Sequence, residues 1–171
     1  MGFPSERRGG QMEPPAELLR LHRHSLTTLL VVGGQASQRR AVALSFHRAS
    51  PAEPGPFVTV DCRCDETRLR SSIQAMLANA APDPGPDPIR AAWSGTLFLD
   101  EVEALSHESQ RLLLWFAQHT LGGSIGADGG WPVRLAAGSL HDPDSWNLLP
   151  ELQDEIDKIR VDLDEAQRGA A

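Results

Sequence analysis

A run of apolar and β-branched side chains, Thr27-Thr28-Leu29-Leu30-Val31-Val32, stops at Gly33-Gly34. It has neither the period of a surface helix nor the alternation of a half-exposed strand. It therefore reads as a strand buried on both faces, the kind found inside parallel sheets. The chain has 171 residues, enough for one domain with a real core.

The rest of the chain supplies matching pieces. Phe57-Val58-Thr59-Val60-Asp61, Thr96-Leu97-Phe98-Leu99-Asp100 and Val133-Arg134-Leu135-Ala136-Ala137 read as further strands, and Ile159-Arg160-Val161-Asp162-Leu163 as a fifth. Between them lie helical patterns. Leu18, Leu19, Leu21 and Leu26 suggest a short helix from Pro15. Residues 37–49 form another, with Ser37 as N-cap and Val42 and Phe46 one turn apart. Leu69, Ile73, Met76 and Leu77 place one apolar stripe on residues 66–79. Ser106 caps a helix that turns Leu112, Leu113 and Phe116 to the core, and residues 146–157 are weakly helical. Strands alternating with helices predict an α/β fold, with a mainly parallel five-stranded sheet flanked by helices.

Gaps in the pattern mark loops. Residues 1–14 read as a flexible N-terminal tail, 15–164 as the domain and 165–171 as a flexible C-terminal tail. Pro82, Pro84, Pro86 and Pro88 rule out helix or central strand over 81–88 and predict an exposed, extended loop. Gly122, Gly123, Gly126, Gly129 and Gly130 mark a turn or small hairpin before Trp131.

Charge narrows the function. The net charge is −7, and residues 49–171 carry nine basic against twenty acidic side chains. Direct DNA binding is not expected of such a balance. No apolar run is long enough to span a membrane and no secretory signal is visible at the start, so a cytoplasmic location is expected. Cys62 and Cys64 are too few for a disulfide framework and are expected to be semi-buried thiols. The six histidines lack metal-ligand spacing, so no metal site is expected.

Open α/β sheets bind ligands at the carboxyl ends of their strands. One such end is Gly33-Gly34-Gln35-Ala36-Ser37-Gln38-Arg39-Arg40. A phosphate-binding loop there would need a second glycine and a lysine, so that backbone N–H groups wrap the phosphates and an ammonium meets their oxygens. Here Gln38 and Arg39 stand in those places. The other is Asp100-Glu101, where an acidic pair after a buried strand suits Mg²⁺ orientation and water positioning.

Taken in order, Gly95-Thr96-Leu97-Phe98-Leu99-Asp100-Glu101-Val102 with Gln110-Arg111-Leu112-Leu113, His47-Arg48-Ala49-Ser50-Pro51, Gly55-Pro56-Phe57-Val58-Thr59-Val60-Asp61-Cys62 and Val133-Arg134-Leu135-Ala136-Ala137 resemble the AAA+ domain of sigma-54-dependent transcriptional activators (bacterial enhancer-binding proteins). The similarity runs from about Leu26 to Leu163. It implies a P-loop NTPase-like fold, the AAA+ large subdomain, without the helical lid. It also implies a vestigial Walker B pair at Asp100 and Glu101. The Walker A segment is degenerate, its nucleotide-binding candidates being Gly33, Gly34, Ser37, Gln38, Arg39 and Arg40. The family's sensor I asparagine falls on or near Leu140, its arginine fingers fall around Leu149 and Glu155, and its sigma-54-contacting loop is missing.

Two readings follow. In the first, the chain is a catalytically inactive regulatory or scaffold module that binds another protein, such as another AAA+ regulator or a signalling assembly. Pro82, Pro84, Pro86, Pro88, Trp93 and Trp131 are its candidate contacts, no cofactor is expected, and sigma-54 is not an expected partner. In the second, Arg39 or Arg40 holds phosphate with Asp100 on Mg²⁺, and ATP or ADP acts as a weak ligand with little hydrolysis. An active ATPase would need the lysine, the fingers and the lid.

Overall fold

The computed structural model describes Glu17, Arg20 and residues 27–78, 87–121, 133–142 and 148–169. Within them the chain runs β1 (Leu29–Val32), α1 (Ala36–Arg48), β2 (Phe57–Asp61), α2 (Glu66–Leu77), α3 (Pro88–Ala91), β3 (Thr96–Asp100), a 3-10 turn (Val102–Ala104), α4 (His107–Leu121), β4 (Arg134–Ser139), α5 (Pro150–Ile156), β5 (Ile159–Asp162) and α6 (Leu163–Gly169). The expected N-terminal tail, the leucines of the helix from Pro15, Pro82, Pro84 and Pro86, the glycine-rich turn and Trp131 lie outside the described residues.

The five strands form one sheet in the order β2-β3-β4-β1-β5, and every neighbouring pair is parallel. β1 sits between β4 and β5, with Leu29 opposite Ala136 on one side and Ile159 on the other. All four of its residues are buried. Leu29 and Val31 pack with Val42 and Phe46 of α1, while Leu30 and Val32 pack on the opposite face with residues of α2, α4 and α5. The strand alternates between two cores, which is why its sequence is apolar throughout. In an open parallel sheet of this order, the carboxyl ends of β1, β3 and β4 are where a ligand would be expected to bind.

Three local expectations are corrected. Ser37 does not cap α1. The helix starts one residue earlier, Gln35 is its N-cap, and the Gln38 side chain accepts the Gln35 N–H at 2.8 Å. Pro88 is not in an exposed loop. It is buried at the first position of α3, a place where a missing N–H costs nothing. Residues 163–169, expected mainly as tail, form α6. Leu163 is buried and Asp162 Oδ1 accepts from the N–H groups of Asp164 and Glu165. The thiols also differ from each other, Cys62 being buried and Cys64 exposed.

Candidate functional site

The turn between β1 and α1 needs its two glycines. Gly33 has φ +80° and Gly34 φ +62°, both in the left-handed region. Space is also short. A Cβ on Gly33 would lie 2.3 Å from a carboxylate oxygen of Asp164, and one on Gly34 would meet Leu163 and Gln38 at 2.8 Å.

Arg39 projects from the first turns of α1 beneath this loop and is fully buried. Its guanidinium grips Asp100 at the end of β3 in a two-bond fork, Nε to Oδ1 at 2.7 Å and Nη2 to Oδ2 at 3.1 Å. Nη1 donates to the Gly33 carbonyl at 3.1 Å and the Gly34 carbonyl at 2.8 Å. Glu101 lies 4.0 Å from Nη2 and pairs with Arg63 at 3.3 Å. A planar fork suits this double acceptance in a way that an ammonium does not. Gly138 on β4 leaves room for the pair, since a Cβ there would come within 2.3 Å of Asp100 Oδ1.

Five amide donors of the turn and of the start of α1 are also engaged. The Gly33 N–H goes to the Ser139 carbonyl at 2.8 Å and the Gly34 N–H to Asp164 Oδ1 at 3.1 Å. The Gln35 N–H goes to Gln38, and the N–H groups of Gln38 and Arg39 go to the Gln35 carbonyl at 3.0 Å. A phosphate-binding loop works by turning free N–H groups outward. Here Gly33, Gly34, Gln35, Gln38 and Arg39 all spend theirs within the chain.

The remaining candidates separate. Arg40 is exposed and faces away, with Nε 3.3 Å from Thr59 Oγ1 and its guanidinium carbon 5.5 Å from the centre of the Phe57 ring. Ser37 is exposed at the start of α1. Trp93, just after α3, is 49% exposed. Leu140 is exposed, and its N–H is held by Glu103 Oε1 at 2.8 Å. Burial pushes the Glu103 carboxyl above the ordinary glutamate range, and its other oxygen is enclosed. Leu149 donates its N–H to Gln110, and Glu155 lies half-buried on α5. No group of metal-ligating side chains occurs among the described residues.

Sequence reasoning missed Asp164, Gly138 and Glu103. Asp164 had a usable signal. It follows β5, the neighbour of β1, so the carboxyl end of β5 must abut the Gly33–Gly34 turn.

Parallel strands in this order, with a glycine turn and an acidic strand end meeting at their carboxyl edge, define a P-loop NTPase-like α/β domain. The chain belongs to the Sigma-54 interaction domain family, whose model matches residues 8–142. It is 36% identical over 112 residues to the acetoin catabolism regulatory protein of Cupriavidus necator, covering 63% of this chain and 17% of that protein. It is 31% identical over 157 residues to the acetoin dehydrogenase operon transcriptional activator AcoR of Bacillus subtilis, covering 86% of this chain and 25% of that protein. The chain thus spans a quarter or less of these two relatives' length. Its fold is that of NtrX from Brucella abortus in complex with ATP, with a TM-score of 0.69 at 18% identity over 86% of this chain and 34% of that one. The P-loop NTPase domain of a sigma-54 activator from E. coli aligns over 86% of this chain and 89% of its own, with a TM-score of 0.60 at 18% identity. No helix among the described residues is long and apolar enough to cross a membrane.

Proposed function

We propose that this chain is a cytoplasmic, non-hydrolysing regulatory or scaffold module of the AAA+ type that works by contact with another protein. The observation that carries this reading is the Arg39–Asp100 fork. In a working site the strand-end aspartate orients Mg²⁺ and the loop cation meets phosphate oxygens. Here each is the other's partner, in a buried ion pair. Mg-nucleotide does not fit these residues as they stand. It would have to displace Arg39 from Asp100, take N–H groups that already have acceptors, and approach the Asp164 carboxylate. Each of these costs free energy that an open loop does not spend.

The reading also accounts for the retention of Asp100. The aspartate is needed as the counter-charge of a buried arginine, whether or not a metal ever binds. Partner contact is supported by the exposed Trp93, since an indole in water is a ready interface anchor. The partner we favour is another AAA+ regulator.

Steady-state phosphate release from Mg-ATP tests the enzymatic half. We expect no rate above background, and no difference between the native chain and Glu101→Gln. A rate that Glu101→Gln abolishes would overturn the reading. Co-purification from cells tests the other half: retention of an AAA+ regulator, weakened by Trp93→Ala, is expected.

A further inference from the structure

Among the described residues, the charged side chain that bonds to an amide of the β1–α1 turn is Asp164. Its Oδ1 accepts the Gly34 N–H at 3.1 Å, and the carboxylate lies so close over Gly33 that a methyl group there would fall 2.3 Å from Oδ2. The residue before it, Leu163, is buried and lies over Gly34. Both glycines are therefore covered by the first two residues of α6, 130 positions away along the chain from Gly34 to Asp164. Asp162 holds that end of α6 in place by accepting from the N–H groups of Asp164 and Glu165 at 2.9 Å.

A negative group bonded to an amide of a glycine turn, at the start of a 13-residue helix, occupies the position that an oxyanion would take. We propose that Asp164 is a tethered anion that makes α6 an autoinhibitory plug of the β1–α1 turn. This rests on the reading above that the turn takes no nucleotide, and it adds a second closure independent of Arg39. Arg39 closes the turn from the carbonyl side and Asp164 from the amide side. Restoring the loop's cation and second glycine is then insufficient, because an incoming phosphate still meets a like charge.

The test is calorimetric titration of Mg-ADP into four forms of the full chain: native, Asp164→Ala, Gln38→Gly with Arg39→Lys, and the triple variant carrying all three changes. The native form binds nothing, and binding there would overturn the nucleotide-free reading itself. The double variant binds weakly or not at all. The triple variant binds at least about tenfold more tightly than the double. Equal affinity of double and triple, or no binding by the triple, overturns the plug while leaving the first reading standing. Amide exchange at Gly34 by NMR provides a measurement on the otherwise native chain. Asp164→Ala should speed it about tenfold or more, and an unchanged rate overturns the plug.

Discussion

Arg39 carries an unusual burden for an arginine in the first turns of a helix. It is fully buried, and its charge is answered by one aspartate, two carbonyls and a more distant glutamate. Removing one member of a buried pair costs about 3–5 kcal/mol, because the other charge is left without a partner. Arg39→Ala should therefore lower unfolding stability by roughly that amount in a denaturant titration. Arg39→Lys should lose less, since it keeps the charge but not the fork. Gly138→Ala should also destabilise, because its methyl group enters the space of Asp100 Oδ1. If Arg39→Ala melts like the native protein, the pair is not what closes the site. None of this was readable from residue types. Arg39 and Asp100 are 61 positions apart, and only the parallel register of the sheet brings α1 and the end of β3 together. Read locally, Arg39 stands where a phosphate-binding lysine would be, so phosphate was its partner in the second of the two readings, and Asp100 was its partner in neither.

At the level of elements, the strands were legible because their composition reflects burial on two faces. β1 alternates between the α1 core and the core on the other side, so no polar residue is tolerated. α6 was not legible, because six of its seven residues are exposed and read as a polar tail. What anchors it is one buried leucine and an aspartate cap. A similar cap ties α2 to α4. One Glu66 carboxylate oxygen accepts from the Ser106 N–H, the Ser106 hydroxyl and the Ser109 hydroxyl. These hydroxyl bonds hold its carboxyl below the ordinary glutamate range. A depressed acid favours the folded state above its unfolded pKa, and the benefit is lost as pH falls through the folded value. Glu66→Gln should thus cost about 1 kcal/mol at neutral pH, since the group is partly exposed and solvent-screened. The gap between variant and native chain should close in acid, below the ordinary glutamate range. A gap that is constant with pH in thermal melts would show that the network acts through shape and not through charge.

For the molecule as a whole, the parallel five-stranded sheet and the use of its strands' carboxyl ends were legible from strand–helix alternation and the family resemblance; the order β2-β3-β4-β1-β5 comes from the structure. The state of those carboxyl ends was not legible. It depends on side chains from α1, β3 and α6 that converge only after the sheet closes. All three additions act in one direction: Arg39 takes the aspartate, Asp164 takes the Gly34 amide, and Gln38 takes the next, that of Gln35. On the proposed function, the domain keeps its shape without nucleotide, and its stability should be indifferent to it. A thermal melt should shift by less than a degree when millimolar Mg-ATP is added, whereas a ligand at 100 times its Kd would add about 2.7 kcal/mol.

The most direct measurement is isothermal titration calorimetry of the native chain with Mg-ATP and Mg-ADP up to millimolar concentration, with Asp100→Ala as control. The closed Arg39–Asp100 site predicts no saturable heat for either nucleotide. Saturable binding that Asp100→Ala weakens would contradict it, and would make Asp100 a nucleotide-site residue after all.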